Sequence, residues 1–214
     1  MRGNLPRNNR RCGSCALPGD YNEWRKRTCV PLELANMNKT SLPLSQVYRL
    51  LEPGPVVLVT SARGGRANVM TMSWYMMVEF VPPTVACVIS NRDFTFDILR
   101  ETRECVINIP TVELAKKVVA CGNTSGRVLD KFKKFRLTAQ PAARVAAPLI
   151  SECYVSLECK VIDESMVDKY CLFILEVRKA WIDRSKKNPR TIHHCGRGVF
   201  MVAGRLIKLP SKMK

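Results

Sequence analysis

Histidine is the scarcest reactive residue in this chain: only His193 and His194 occur among 214 residues. Two adjacent imidazoles cannot furnish a multi-histidine metal site, and in a strand they point to opposite faces. No serine or cysteine nucleophile stands with a supporting base, which argues against triad hydrolysis. No Gly-x-Gly-x-x-Gly opens a strand–helix unit, so a dinucleotide is not expected on a glycine-rich turn of that kind. No apolar run reaches the ~18 residues needed to cross a bilayer. The N-terminus is basic and polar, without the apolar centre of a secretory signal. From these two absences the expected location is the cytoplasm. Aromatic residues make up only 7% of the chain and do not interleave with the basic ones. Helix-turn-helix, zinc-finger and RNP-like patterns are missing as well, which weighs against a nucleic-acid surface.

What is abundant is positive charge and cysteine. Lysine and arginine number 35 against 18 acidic residues, a formal net charge of +17. Such an excess usually means a solvated surface, and it also favours ligands that carry phosphate. Of ten cysteines, Cys87, Cys105, Cys159 and Cys171 fall in apolar, strand-like runs where a free thiol behaves as a small hydrophobe. Cys12-Gly13-Ser14-Cys15 has CxxC spacing, yet only Cys29 lies near and a zinc site needs four ligands. The expectation is therefore reduced, structural cysteines and no metal.

With 46% hydrophobic and 25% charged residues, the chain has an ordinary globular composition, long enough for one domain with a sizeable core. Residues 1–36 mix Arg, Asn, Pro and Gly without usable periodicity and read as a flexible extension. Met37 is the expected native start, with 1–36 a mispredicted upstream segment and 37–214 the domain. Ser45 to Leu51 reads as a short helix, ended by Pro53-Gly54. Pro55 to Ser61 is an apolar, β-branched run that reads as a fully buried strand. Arg63-Gly64-Gly65-Arg66 is turn chemistry, Asn68 to Met77 a second, more polar strand, Glu79 to Pro83 a bend and Thr84 to Ser90 a third strand. Helices are expected at Thr95–Glu101, Val112–Val119 and Val128–Phe135, a strand at Cys105–Ile109 and an irregular connector at Pro141–Pro148. Tyr154 to Val161 alternates strictly, so Val155, Leu157, Cys159 and Val161 share a buried face. Tyr170 to Ile182 is its hairpin partner. His193 and His194 read as a solvent-exposed loop before a last strand, Val199 to Ala203. Strands outweigh helices without regular βαβ alternation, so the expected class is mainly β: a closed antiparallel barrel with short helical insertions.

Several stretches carry a family resemblance. Gly65-Arg66-Ala67-Asn68-Val69-Met70-Thr71-Met72-Ser73-Trp74, Pro82-Pro83-Thr84-Val85 and Ser90-Asn91-Arg92-Asp93-Phe94-Thr95 come first. Glu104 to Pro110, Cys121 to Gly126, Asp130-Lys131-Phe132 and Leu172-Phe173 with Glu176-Val177 follow in order. Together they resemble the flavin reductase-like family, which includes flavoredoxin. The resemblance implies an FMN-binding split β-barrel of Greek-key type, a homodimer with flavin near the subunit interface.

The resemblance also assigns residues. Asn68, Met70, Thr71, Met72, Ser73 and Trp74 would line the flavin ring; taken alone, the same stretch reads equally as a core strand with incidental hydroxyls. Ser90, Arg92 and Thr95 sit at a strand end and helix start, where hydroxyls, a guanidinium and the positive helix end suit a phosphate. A plain Thr95 N-cap is the alternative. Gly122, Ser125 and Gly126, with Lys131 and Phe132 beyond, resemble a family segment near the flavin. Many relatives carry a histidine before the late Leu-Phe, where Tyr170 stands here. No single acid or base is expected to be catalytic.

Three functions follow. The first is an oxidoreductase passing hydride from NAD(P)H to FMN, with alignment and charge stabilisation supplying the catalysis. The second is a flavoredoxin-like carrier whose bound FMN is reduced by a protein donor; Tyr170 in the histidine's place favours it. The third is a basic nucleic-acid binder.

Overall fold

A computed structural model describes residues 39–47 and 54–210. The expected extension 1–36, Cys12, Cys15, Cys29, Met37 and the end of the first expected helix, with Leu50 and Leu51, lie outside the described residues. Among them, Leu44–Gln46 forms one turn of 3-10 helix.

The run at 55–61 forms β2 (Val57–Arg63), after a short β1 (Lys39–Leu42). β2 pairs with β3 (Arg66–Met72) from Val57↔Met72 to Arg63↔Arg66. Gly64 and Gly65 alone turn this hairpin, at φ +55° and +75°. Two successive positive φ values define the tight turn that matches strand twist, and glycine adopts them without a Cβ penalty. β4 (Tyr75–Phe80) follows, then β5 (Pro83–Val88), β6 (Glu104–Ile109) and, after the short pair β7 (Ala139–Gln140) and β8 (Leu149–Ile150), β9 (Val155–Asp163) and β10 (Leu172–Asp183). The main sheet runs β3-β2-β6-β9-β10-β5-β4, with β1 also on β10. All its pairings are antiparallel.

β3 and β4 lie at opposite ends of this hydrogen-bonded path, yet only Ser73 and Trp74 separate them in the chain. The three Cα–Cα steps from Met72 to Tyr75 span at most about 11 Å, so the sheet must roll until its ends nearly meet. The result is a barrel whose seam is closed by covalent chain instead of a ladder. Glu79 and Phe80 belong to β4, so the expected bend at 79–83 narrows to the link at Val81-Pro82, with Phe80 paired to Pro83.

β2 is buried on both faces, which explains its unbroken apolar pattern. Val57 and Val59 point into the barrel with Ile107, Leu157, Cys159 and Phe173. Leu58 points outward, with Val56 and Val69, against the helices. These are α1 (Phe94–Thr102), α2 (Ala115–Gly122, preceded by a 3-10 turn at Val112–Leu114) and α3 (Lys131–Phe135); α4 (Val167–Tyr170) is one turn before β10. On α1, Ile98 and Leu99 are buried, and Phe96 meets Phe173 edge-on at 5.5 Å. The third expected helix begins later than Val128 because Asp130 caps it, accepting from Lys133 N. Tyr170 belongs to α4 and not to the late strand, and Cys171 takes a left-handed turn at φ +55° instead of strand geometry. His193 and His194 lie in a strand, β11 (Ile192–Gly196), paired with β12 (Val199–Val202), where a loop was expected. Cys87, Cys105, Cys121, Cys153 and Cys159 are buried free thiols, and no metal-holding cluster occurs among the described residues.

On β9 the expected inward face holds: Val155, Leu157, Cys159 and Val161 lie in the barrel core. The opposite face is also fully buried, at Ser156 and Glu158, under the 141–150 connector. The Glu158 carboxylate accepts from Ala143 N, Arg144 N and Trp181 Nε1. Glu104 accepts from Ala146 N, and Asn108 Oδ1 from Ile150 N and Ser156 Oγ. Three carboxyl and amide side chains thus satisfy the backbone of a segment that has little secondary structure of its own. Glu158→Ala strands three donors under the connector. Ala143 and Arg144 are exposed, so at about 0.5–1.5 kcal/mol net for each hydrogen bond lost a destabilisation of about 1.5–4.5 kcal/mol is expected in urea denaturation; a loss below about 1 kcal/mol would show that the clamp is dispensable.

Candidate functional site

Where β3 crosses the start of α1, a cleft of about 310 Å³ opens. Its lining comes from three places far apart in sequence: β3 (Asn68, Met70), the entry to α1 (Arg92, Asp93, Phe94, Thr95) and the α2–α3 loop with the first residue of α3 (Gly122 to Gly126, Lys131). β3 alternates, so Asn68 and Met70 share the cleft-facing side while Val69 packs under the helices. Thr71 follows Val69 outward, and its hydroxyl donates to the Val118 carbonyl of α2 at 2.6 Å.

Asn68 is the polar centre of the wall. It is buried, and its amide nitrogen donates to Thr95 Oγ1 at 2.9 Å. Its carbonyl oxygen has no partner. Threonine hydroxyl can donate or accept, so one end of the amide is satisfied whichever way it is turned and the other remains unspent. Gly126 lies against that oxygen: a Cβ there would stand 1.9 Å from Asn68 Oδ1 and 3.1 Å from the Phe94 ring. This glycine is required for space and not for a left-handed backbone.

The α1 end is arranged for an anion. Ser90 O accepts from Asp93 N and Ser90 Oγ from Arg92 N, which folds 90–93 into a turn that leads into the helix. The helix N-cap is Asp93, not Thr95; Thr95 sits in the first turn with its hydroxyl turned to Asn68. The Arg92 guanidinium is exposed and has no hydrogen-bond or ion-pair partner among the described residues. Lys131 enters from α3, nearly buried, its Nζ donating to the Cys121 carbonyl at 2.7 Å. Burial pushes its pKa down, against the attraction of Cys121 and Asp93. The cleft thus combines an exposed, unpartnered cation, a buried one, a helix N-terminus and an unspent amide. That donor set suits a phosphate-bearing ligand with a polar ring edge.

Eight of the residues singled out by sequence converge here: Asn68, Met70, Arg92, Thr95, Gly122, Ser125, Gly126 and Lys131. The rest do not line the cleft. Met72 is in the barrel core and Phe132 in the outer core. Thr71 is spent on α2, Ser73 and Ser90 are exposed beside the link and turn, and Trp74 is 71% exposed on the barrel surface. Asp93, Phe94, Asn123 and Thr124 line the cleft without having been singled out. Their only sequence signal was position, since each lies between residues already flagged.

A rolled antiparallel sheet with helices outside it and an anion-ready cleft at a helix start defines the split-barrel class of nucleotide-cofactor proteins. Within it, the chain belongs to the flavin reductase like domain family, whose profile matches residues 49–201. The chain is similar to YddH, an uncharacterised protein of Escherichia coli K12, with 32% identity over 182 residues, 78% of this chain and 95% of that protein. An uncharacterised protein of Archaeoglobus fulgidus is 34% identical over 136 residues, 62% of this chain and 76% of its own. Among solved structures, the FMN-binding domain of a flavin reductases-like enzyme from Shewanella baltica superposes with a TM-score of 0.77 at 27% identity, covering 83% of this chain and 100% of that one. Flavoredoxin of Desulfovibrio vulgaris shares the fold, with a TM-score of 0.67 at 24% identity over 74% of this chain and 91% of its own.

Gly126→Ala drives a methyl group into Asn68 and the Phe94 ring. Overpacking of this kind costs about 1–3 kcal/mol, so the thermal midpoint is expected to fall. An unchanged midpoint would mean that the 122–126 loop yields freely and that Gly126 does not shape the cleft.

Proposed function

We propose that the chain binds FMN in this cleft and passes hydride to it from NADH or NADPH. The observation that carries the reading is the pairing of an unspent Asn68 amide with a glycine-made space on one side and an unpartnered Arg92 at the start of α1 on the other. A flavin mononucleotide has this polarity: a ring edge rich in hydrogen-bonding atoms and a dianionic tail. When bound, FMN supplies a hydride acceptor that can pass its electrons onward singly or in pairs. Arg92 and the α1 amides, with Thr95 behind them, hold the tail; Ser90 is one turn position away. Asn68 and the backbone of 122–126 orient the ring edge, and Met70 offers apolar surface to its face. Lys131, held by the Cys121 carbonyl, keeps positive charge beside the ring, which favours an anionic reduced state. No proton has to be moved by a side chain for this.

A carrier of the flavoredoxin kind, with FMN reduced by a protein donor, is the second reading. One observation favours it: Tyr170, in the place where relatives carry histidine, is 51% exposed on α4 under Lys169 and does not line the cleft. The absorption spectrum of the purified full chain with added FMN tests both readings together. A shifted flavin spectrum is expected, and stopped-flow mixing with NADH or NADPH is expected to bleach it; binding without bleaching leaves the carrier. A colourless protein that binds RNA with steep salt dependence would support the nucleic-acid alternative instead. Arg92→Ala is expected to weaken FMN binding about tenfold, the scale of one charge-assisted contact, with riboflavin binding little changed. Equal losses would remove Arg92 from the phosphate end.

A homodimer is part of the proposal. β4 ends the main sheet, pairing only with β5 among the described residues. Met76, Val78 and Phe80 on it, and Trp74 just before it, stand exposed by 63, 50, 43 and 71%. A contiguous apolar face on an edge strand invites a partner, and a cleft of about 310 Å³ is near the small end of ligand pockets, which a second subunit would enlarge. Light scattering after size exclusion is expected to give twice the chain mass, and Met76→Lys to shift it toward the monomer. A wild-type monomer would refute this assembly.

A further inference from the structure

Past β12 the chain runs out as an arm. Ala203 N donates to the Thr191 carbonyl at 2.8 Å, and beyond it residues 204–210 form no helix or strand and are exposed throughout. Leu206, Ile207 and Leu209 stand 83, 71 and 69% exposed. No hydrogen bond or ion pair ties residues 204–210 to any other described residue. Val199 and Met201, exposed on β12, extend the same apolar run back into the hairpin. Single exposed aliphatic side chains are ordinary, but a contiguous set of this size marks a contact surface. The arm lies past residue 201, where the family match ends, so the shared domain does not account for it.

β4 presents a surface that matches the arm in length, polarity and charge. Among the described residues it pairs on one side only, with β5, and Met76 and Val78 stand open on it. Six residues, 204–209, lie between Ala203 and Pro210, and β4 has six. An extended run of that length covers about 20 Å, and Pro210, without an N–H, would end any pairing there. Residues 73–83 carry one acid, Glu79, and no lysine or arginine, whereas the arm carries Arg205 and Lys208. In a chain of net charge +17, two copies repel almost everywhere else. The β4 surface is therefore where a basic arm meets least opposition.

Arm and edge also start from one end of the barrel. Thr191, which holds the arm's root, precedes Ile192, whose carbonyl accepts from Val56 N. Tyr75, at the start of β4, donates its hydroxyl to the carbonyl of the neighbouring Pro55. The arm nevertheless stands off its own β4, because its apolar side chains are exposed. When two copies face each other across a two-fold axis at β4, each arm's root comes close to the other copy's strand, and the exchange closes on itself. We propose that the arm of each copy, through Leu206, Ile207 and Leu209, lies along the open edge of β4 on a second copy of this chain, with Arg205 and Lys208 set against Glu79. The inference rests on the homodimeric reading and adds what covers β4 in it.

Sedimentation of the full chain over a dilution series tests it. Leu206→Glu together with Ile207→Glu, at exposed positions outside the barrel, is expected to raise the dimer dissociation constant at least tenfold. Hydrogen exchange of residues 75–80 is expected to be slow in the wild-type dimer and fast in this variant. Glu79→Lys is expected to weaken the dimer about threefold, and adding Arg205→Glu and Lys208→Glu to restore it. A dimer whose dissociation and β4 exchange ignore the arm substitutions overturns the arm exchange and leaves the homodimer standing. A Glu79→Lys loss that the arm reversals do not restore does the same. A wild-type monomer overturns the homodimer and the exchange with it. Co-sedimentation with vesicles of anionic phospholipid, lost on Leu206→Glu and Ile207→Glu while the dimer is unchanged, would assign the arm to a membrane surface and overturn the proposal.

Discussion

The two-residue link at Ser73-Trp74 is the constraint from which the rest of the architecture follows. It ties together the first and last strands of a seven-strand path, so the sheet has no choice but to curl. Once curled, its concave face encloses the core that Val57, Val59, Ile107, Leu157, Cys159 and Phe173 fill. Its convex face is left to be covered, and that need explains the helices. β2 shows the result most directly, since it is apolar on both faces and packs against both layers. β3, next to it and at the seam, is covered only in part. That partial cover is why a strand carrying an amide and a hydroxyl comes to border an open cleft.

The electrostatics of the cleft follow from the same geometry. Polar groups at the border of a barrel must find partners or be left unspent. Thr71 finds one in the Val118 carbonyl and Asn68 half of one in Thr95. Under the 141–150 connector, farther round the barrel, buried polar groups are paired, although Ser61 Oγ and Glu164 Oε1 elsewhere are not. Lys39 reaches the Ile150 carbonyl and Ser156, Thr60 the Pro148 carbonyl, and Glu158 three donors at once. The network under the connector is saturated, whereas the Asn68 carbonyl oxygen that borders the cleft is not. The cost of the former is visible in Lys39, whose pKa burial pushes down to about 8.

Much of the fold was legible because it depends on local pattern. The strict alternation of β9, the double glycine of the β2–β3 turn and the unbroken apolar run of β2 each have one reading. What escaped was decided at a distance. His193 and His194 became a strand only because β12 returns to pair with them. Glu79 and Phe80 extended β4 because β5 offered partners as far as Pro83. At the candidate cleft, the flagged segments converge, but only some of the residues within each line it. Along Asn68 to Trp74 every residue carries a plausible group. Period-two alternation puts Asn68, Met70 and Met72 on one face and Thr71 on the other, toward α2, and packing then leaves Asn68 and Met70 at the cleft and Met72 in the core.

By itself the sequence determined much of the local vocabulary: several of the strand runs, where glycines turn the chain, and which residue types stand near which helix start. These depend on neighbours a few positions apart, where sterics and hydrogen-bonding capacity are written residue by residue. The tertiary structure alone decided that Asn68, Arg92, Gly126 and Lys131, spread over 64 positions, would share one cleft, that Glu158 would be buried under a connector and that Trp74 would face outward. Those outcomes depend on the phase of each strand and the closure of the sheet, which arise from packing many distant segments at once.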